Sequence, residues 1–193
     1  KYLCVQESAL NANAISSSNA VGYWQFKLET AKDVGLKVDQ DIDERRHIIE
    51  STKGAVNYFT RNNKVLNNWV GTLLSYRVGL GTVKKLPYAT NWAGKTEIEV
   101  DSTTDWYVIR FLAYKEFWAE QMTNLPLQKD SPNLVTHGNT QGKNLYELSD
   151  ELKLSYDDLK RYNAWILKDS IPSDKNYTLY HPSNLKVYNP AEL

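Results

Sequence analysis

Apolar side chains recur along the first two thirds of the chain at intervals of three and four residues, the spacing of a helix with one buried face. Helices are predicted over five ranges, which are residues 2–12, 28–34, 44–62, 69–78 and 104–121. The predicted core face of the third helix consists of Ile48, Ile49, Thr52, Val56 and Phe59. That of the fifth consists of Ile109, Leu112, Ala113 and Phe117. The pattern predicts a mainly α domain, with His47 on the surface of its third helix.

The pattern changes beyond residue 125, where prolines and polar residues predict a linker. Short strands are then predicted at Leu134–His137 and at residues 178–180. Between them, Asn144 and Ser155 are suited to begin helices, since each is followed three positions later by an acid. The second part is therefore predicted to be a small α+β domain with the order strand, helix, helix, strand. The predicted division is a domain over residues 1–125, a linker over residues 126–133 and a domain over residues 134–188.

Composition excludes several classes of function. The chain has 193 residues, with 23 Lys and Arg against 23 Asp and Glu, so nothing favours attraction to nucleic acid or to anionic lipid. The single cysteine, Cys4, excludes an internal disulfide, and we expect it to be a small buried side chain. No apolar run reaches the length of a membrane span and no signal region begins at Lys1, so we expect any leader or anchor to lie outside this sequence.

The candidate chemistry lies near the start of the chain. A single acid, Glu7, lies on the first predicted helix, and a loop of small residues then leads to an aromatic, amide-bearing segment. An acid that protonates a leaving sugar must keep its proton near neutral pH, and apolar cover from Tyr23, Trp24 and Phe26 would raise its pKa. Gln25 would bind sugar hydroxyl or N-acetyl groups. The 6 Trp and 13 Tyr residues also supply flat surfaces suited to sugar rings, so we interpret this stretch as a glycan-cleaving site.

This stretch resembles the lytic murein transglycosylases, particularly their membrane-bound type D subgroup, whose catalytic domain has a goose-lysozyme-like fold (glycoside hydrolase family 23). The positions that match the family pattern without a gap are Glu7, Ser8, Asn11, Ala14, Ser16, Ala20, Gly22, Trp24, Gln25 and Phe26. Leu10, Ala12 and Asn19 depart from the pattern, and we expect these changes to alter packing or loop shape rather than chemistry. A second block matches at residues 43–46, Ser51, Thr52 and Ala55.

The resemblance implies a peptidoglycan-cleaving enzyme in which Glu7 acts alone as general acid and base. Such an enzyme would cleave the β-1,4 bond between N-acetylmuramic acid and N-acetylglucosamine and would leave 1,6-anhydromuramic acid. The substrate-binding candidates carried over from the resemblance are Ser16, Tyr23, Gln25, Tyr76 and Tyr107. No metal and no organic cofactor is implied.

Two departures bear on the chemistry. Arg77 follows Tyr76 where the family has asparagine, and a guanidinium close to Glu7 would lower the pKa that a general acid needs. We expect Arg77 to point away from Glu7 or to be neutralised by an acid, and the alternative is a weakened site. Thr103 stands where the family has glutamate, so a second acidic contact to substrate is missing.

The second predicted domain resembles the LysM module, a small domain associated with polymers of N-acetylglucosamine. The matching positions are Gly142, Asn144, Leu145, Leu148, Leu154, Ser155, Leu159, Asn163 and Ile171. Of these, Gly142, Asn144 and Asn163 would line the sugar groove, although each also suits an ordinary turn or cap. His137 and His181 lack the partners of a metal site. Alternating aspartates in residues 38–43 resemble a calcium loop but lack its turn glycine, so helix-start carboxylates are the favoured interpretation.

The predicted partner is the glycan strand of peptidoglycan, with no nucleic acid, and we expect a monomer. A periplasmic or other cell-envelope location, with a membrane anchor outside the sequence, follows only from that substrate class. Three alternatives remain at this point. The first is a lysozyme-like hydrolase, in which water rather than the 6-hydroxyl of N-acetylmuramic acid attacks C1. The second is a glycan-binding protein that has lost turnover. The third and most distant is a helical adaptor without a glycan partner.

Overall fold

A computed structural model describes residues 1–124 and 133–185. The first range, here the N-terminal unit, contains α1 (Tyr2–Ser8), α2 (Leu28–Asp33), a 3-10 turn (Glu44–Arg46), α3 (Ile48–Leu66), α4 (Trp69–Val78), α5 (Leu80–Val83), α6 (Pro87–Thr90) and α7 (Trp106–Asn124). The second range, the C-terminal unit, contains β1 (Leu134–His137), α8 (Leu145–Leu152), α9 (Tyr156–Tyr162) and β2 (Leu179–Pro182). The prediction of a mainly α fold is confirmed.

Helix α4 shows how local sequence signals set its ends. The side chain of Asn68 accepts hydrogen bonds from the amides of Val70 and Gly71, and Gly79 ends the helix at a φ of 81°. The predicted bounds are therefore confirmed. Helix α1 instead ends four residues before its predicted end, because Ala9 and Leu10 both adopt positive φ, of 51° and 62°. Neither residue type signals that conformation.

The core of the N-terminal unit lies between α1, α3, α4 and α7. The predicted core face of α3 is wrong at Ile48 and Val56, which are exposed, whereas Phe59 packs against the core as predicted. The residues that this helix buries are Ser51, Gly54, Ala55, Tyr58 and Asn62. Small residues let neighbouring segments approach closely, and a Cβ on Gly54 would lie 3.0 Å from the Val34 side chain.

The predicted core face of α7 is also wrong. Ile109, Leu112 and Phe117 are exposed, and Ala113 is exposed with them. The helix packs inward through Tyr107 and Val108, which are buried, and through Phe111. Apolar residues occur on two sides of this helix, so spacing alone fits either choice of inner face. Cys4 is buried in the same core, as predicted.

The C-terminal unit has the predicted order of strand, helix, helix and strand. Strands β1 and β2 pair antiparallel, with Leu134 opposite Pro182. Asn144 begins α8 with a capping box completed by Glu147, and the side chain of Ser155 caps α9. The core residues are Leu145, Leu148, Leu154, Leu159, Trp165, Ile166, Ile171, Tyr177 and Leu179. The predicted linker lies outside the described residues, apart from Asn133.

Residues 39–47 of the N-terminal unit pack directly on the C-terminal unit. Ile42 is fully buried in the core of the C-terminal unit and forms a β-bridge with Ile166. His47, predicted to be on the surface, is only 5% exposed because its ring lies against Trp165 and Tyr180, with centroids 4.9 and 5.1 Å away. The prediction for His47 is therefore wrong, since it considered one helix without the unit that covers it.

The carboxylates of Asp39 and Asp43, in the acidic stretch before α3, bind neighbouring residues of the same stretch. One oxygen of Asp39 accepts hydrogen bonds from the amides of Asp41 and Ile42, and Asp43 binds Arg45. Across residues 1–124 and 133–185, no group of three or more His, Cys, Asp or Glu side chains could hold a metal ion. In the same ranges no helix is long and apolar enough to cross a membrane.

Candidate active site

Glu7 lies at the wall of a cleft of about 460 Å³. The cleft is lined by residues of α1, the loop after α1, α2, α3, α4 with the following Gly79, and α7. They are Glu7, Ser16, Ser18, Ala20, Gln25, Phe26, Lys27, Thr30, Tyr58, Tyr76, Arg77, Val78, Gly79 and Tyr107. A larger groove of about 680 Å³ shares none of these residues and has no Asp or Glu in its apolar wall. The smaller cleft is therefore the one equipped for acid and base chemistry.

Three features of the surroundings shift the pKa of Glu7. Burial raises the pKa of Glu7 above its usual value, which favours the protonated form. The hydroxyl of Tyr107 donates a hydrogen bond to Oε1, and the Arg110 guanidinium adds positive charge, so both lower that pKa. Burial has the largest effect, and the carboxyl therefore holds its proton more tightly than an exposed glutamate would.

The aromatic cover over Glu7 differs from the predicted one. Phe26 lines the cleft as expected, but Tyr23 and Trp24 do not, and the Trp24 indole instead donates to Thr52. Tyr23 is thus not placed in the cleft, and its hydroxyl pKa is raised by burial and by Cys4 rather than by Glu7.

Tyrosines of the neighbouring helices supply the cover instead. They are Tyr58 on α3, Tyr76 on α4 and Tyr107 on α7. Tyr76 donates to the carbonyl of Trp24 at 2.7 Å and stacks on Phe59, with ring centroids 5.1 Å apart. Tyr76 and Tyr107 were candidates from the sequence, and both lie in the cleft with Glu7.

The loop between α1 and α2 carries two further predicted residues to the cleft. The hydroxyl of Ser16 accepts a hydrogen bond from the Ala20 amide at 3.0 Å. The side-chain nitrogen of Gln25 donates to the carbonyls of Ala14 and Gly22, at 3.1 and 3.0 Å. Within the described part of the chain the Gln25 Oε1 has no hydrogen-bond partner. Gln25 therefore offers a substrate an acceptor, and its donors hold the loop.

Arg77 lines the cleft but is neutralised by an acid. Its guanidinium lies 2.5 Å from Asp105 and stacks over the indole of Trp106, 4.6 Å from the ring centroid. Asp105 also accepts a hydrogen bond from the amide of Tyr107 at the start of α7. The ion pair explains why Arg77 is not among the groups that lower the Glu7 pKa.

Sequence reasoning missed Asp105, Arg110 and Tyr58. Asp105 could have been found as the acid that precedes the first turn of α7, where a cap is expected. Arg110 lies one helical turn after Tyr107, a spacing that places both on one side of α7. Thr103, by contrast, is held in a local turn, where its amide and hydroxyl both donate to Asp101.

The glycan-binding candidates of the C-terminal unit have different environments. Asn163 is fully buried, and its amide binds the backbone of Leu159 and Tyr180, so a sugar cannot reach it and that assignment is wrong. Gly142 and Asn144 remain accessible, and the loop that carries them forms a bridge to Ser170. Their proposed contact with sugar stays a prediction.

Comparison with known proteins places these residues in a family. The sequence model of the Transglycosylase SLT domain matches residues 1–98. The chain is 28% identical over 172 residues to Membrane-bound lytic murein transglycosylase D of Escherichia coli strain K12, an alignment that covers 85% of this chain and 38% of that protein. The same values hold for the protein of that name from Escherichia coli O6:H1.

A Putative tributyltin chloride resistance protein of Alteromonas sp. is 31% identical over 78 residues, 40% of this chain and 38% of that protein. The chain thus aligns with little more than a third of the length of the curated relatives that it matches. The family match, in contrast, covers half of this chain and includes Glu7, Ser16, Gln25 and Tyr76. The chain therefore belongs to the Transglycosylase SLT domain family.

Proposed function

We propose that this chain is a peptidoglycan lytic transglycosylase in which Glu7 is the single general acid and base. The observation that carries the proposal is the half-buried Glu7 carboxyl, whose pKa is raised by burial, at the wall of a cleft lined by tyrosines. Family membership and the printed name of the Escherichia coli relatives support murein as the substrate. The reaction would break the β-1,4 bond between N-acetylmuramic acid and N-acetylglucosamine.

The acids of the cleft support a mechanism with one carboxyl group. Most glycosidases place two carboxyl groups about 5 to 9.5 Å apart across the scissile bond. Among the described residues that line this cleft, Glu7 is the only Asp or Glu. The nearby Asp105 is committed to Arg77 and to the Tyr107 amide. A nucleophile taken from the substrate itself fits this arrangement better than a water held by a second acid.

The proposed reaction balances without water. Glu7 protonates the oxygen that bridges the two sugars as the bond from that oxygen to C1 of N-acetylmuramic acid breaks. The 6-hydroxyl of the same sugar attacks C1, and Glu7 takes the proton that this hydroxyl loses. The N-acetyl group helps to stabilise charge at C1, and the product carries a 1,6-anhydro ring. Because nucleophile and reacting carbon belong to one sugar, enforced proximity replaces an enzyme-bound water.

The surroundings of Glu7 suit both halves of this cycle. Burial raises the pKa of Glu7 and so favours the protonated acid of the first half, whereas the Tyr107 hydroxyl and the Arg110 charge favour the carboxylate that acts as base in the second. Tyr107 occupies Oε1, and within the described residues Oε2 has no partner, so that oxygen is available to the glycosidic oxygen. Ser16 and the Gln25 Oε1 lie along the same cleft and would orient the sugars.

Mass spectrometry of digested peptidoglycan tests the proposal. The wild type should release soluble fragments that end in 1,6-anhydromuramic acid, and Glu7→Gln should release none. The matched control is Glu116→Gln, an exposed glutamate of α7, which should behave as the wild type. Fragments ending in reducing muramic acid would instead identify a hydrolase. Binding to peptidoglycan without soluble fragments, unchanged in Glu7→Gln, would identify a glycan-binding protein that lacks turnover.

We further propose that the C-terminal unit is a LysM-like module that binds glycan through the loop of Gly142 and Asn144. The observed strand, helix, helix, strand order and the accessibility of both residues support this assignment. Titration of the full chain with oligomers of N-acetylglucosamine should shift the backbone amide resonances of both residues. Shifts confined to the catalytic cleft would contradict the assignment. From the murein substrate class we also propose a location in the periplasm or cell envelope.

A further inference from the structure

Residues 43–46, here called the connecting turn, contact the C-terminal unit on one side. The amide of Asp43 donates to the carbonyl of Trp165 at 2.8 Å, and the buried Glu44 accepts from Lys175 at 2.6 Å. Immediately before the turn, Ile42 has its whole side chain in the core of the C-terminal unit. The position of the connecting turn is therefore fixed by the C-terminal unit as well as by its own neighbours.

The same turn contacts the loop between α1 and α2 on its other side. Asp43 binds Arg45 through both carboxylate oxygens, each at 2.8 Å, and Arg45 also donates to the carbonyl of Phe26. Asp43 and Arg45 are both more than nine-tenths buried. A buried bidentate ion pair has little freedom to reorient, so Asp43 fixes the orientation of the Arg45 guanidinium. Arg46 makes a further contact, at 2.8 Å, with the Asn13 side chain.

Close packing adds to these polar contacts at Gly22. A Cβ on this residue would lie 2.0 Å from the carbonyl oxygen of Arg45, and Gly22 has a φ of +80°. The loop backbone therefore rests directly on the connecting turn. Because packed segments transmit displacement, a shift of the turn would move the loop. Ser16 and Gln25, which line the cleft, belong to this loop.

We propose that the C-terminal unit positions the substrate-binding loop through the connecting turn, with Asp43 and Arg45 as positioning residues. The proposal rests on the proposed function for its catalytic consequence. It gives the C-terminal unit a role in turnover that is separate from any binding of glycan. When Ile42 is undocked, the connecting turn loses its support and the Gln25 amide loses its place in the cleft that Glu7 lines.

The test removes the docking contact without touching the cleft. Ile42→Ala deletes a side chain that lies in the core of the C-terminal unit, and kcat should fall about tenfold on a soluble N-acetylglucosamine and N-acetylmuramic acid tetrasaccharide, with KM changed less. Hydrogen exchange should quicken at the amides of Ser16, Val21, Gly22 and Gln25, whose hydrogen bonds hold the loop. Ile42→Val should restore both measurements. Asp43→Asn, which keeps the backbone contact with Trp165, should reproduce the loss of kcat.

The matched control is Leu148→Ala, which opens a cavity in the same core at a residue of α8. It should leave kcat and loop exchange at wild-type values. Equal effects of Leu148→Ala and Ile42→Ala would overturn the proposal, because general loss of stability would then explain both. So would faster exchange at residues 36–47 in Ile42→Ala with no change in the loop. If the wild type cleaves no glycan, the proposed function fails, yet the exchange experiment still decides whether the C-terminal unit holds the loop.

Discussion

The hydrogen bond from Tyr107 to Glu7 predicts how the pH dependence of turnover responds to loss of one hydroxyl. Tyr107→Phe keeps the ring in the core and removes the donor that lowers the Glu7 pKa. A hydrogen bond to a charged group contributes about 1.5 to 3 kcal/mol, and 1.36 kcal/mol corresponds to one pH unit. Since the protonated carboxyl also keeps some contact with the hydroxyl, the lower end applies. The pKa of Glu7 should therefore rise by about 1 pH unit.

The assay is the pH profile of kcat/KM on a soluble glycan. In the proposed mechanism the free enzyme must hold the Glu7 proton, so activity should fall as the pH rises through that pKa, and this alkaline limb should move upward in Tyr107→Phe. The control is Tyr58→Phe, which removes a hydroxyl from another cleft tyrosine that donates to the Ser75 carbonyl. Its alkaline limb should not move. A limb that stays in place or moves down in Tyr107→Phe would refute the assignment of Glu7 as the acid that Tyr107 controls.

Three further predictions concern charge and packing around the site. Burial lowers the pKa of His47 from 6.5 to about 4, so the unfolded chain binds this proton more readily. The stability that this shift provides is fully present well above pH 6.5 and is lost as the pH falls to 4 and below, about 3 kcal/mol in all. Urea denaturation at pH 7 and 4.5 should show about 2 kcal/mol of that loss, and the loss should be smaller in His47→Asn. Asp105→Asn keeps the helix cap but frees Arg77, so the Glu7 pKa and the alkaline limb should fall by about 0.5 pH unit, and an unchanged limb would mean that Arg77 does not act on Glu7. Gly22→Ala has no room for its methyl group, and thermal denaturation should show a loss of at least about 2 kcal/mol; wild-type stability would mean that the loop does not rest on the connecting turn.

Elements whose ends depend on local chemistry were predicted well from the sequence. Asn68 and Gly79 bound α4 because an amide side chain can cap the first turn and glycine adopts positive φ without strain. The capping box of Asn144 likewise begins α8. The end of α1 was missed because Ala9 adopts a left-handed conformation that its side chain does not favour. Tertiary packing selects that conformation, and no local pattern reports it.

Inner faces were predicted less well than helix ends. Helix α3 buries Ser51, Gly54 and Asn62 together with Tyr58, while the apolar Val56 is exposed, so hydrophobicity misled the choice of face. His47 was assigned to the surface because its own helix gives no reason for burial. Its cover comes from Trp165, more than a hundred positions later in the chain. Periodicity within one helix cannot contain that information.

The residues of the candidate site likewise differ in whether their own segment or a distant segment determines their role. Glu7 and Gln25 could be predicted from the chemistry that their segment suits, and Tyr76 from the family resemblance, and all three line one cleft. For Arg77 the sequence predicted a turn away from Glu7 or neutralisation by an acid but could not name the partner, since the effect of a guanidinium on a nearby carboxyl depends on what else it contacts. That partner, Asp105, comes from a helix start 28 positions later. The departure at position 77 thus becomes compatible with the proposed general acid only when the fold brings the two segments together, because the charge near Glu7 depends on the Arg77 and Asp105 pair rather than on either residue alone.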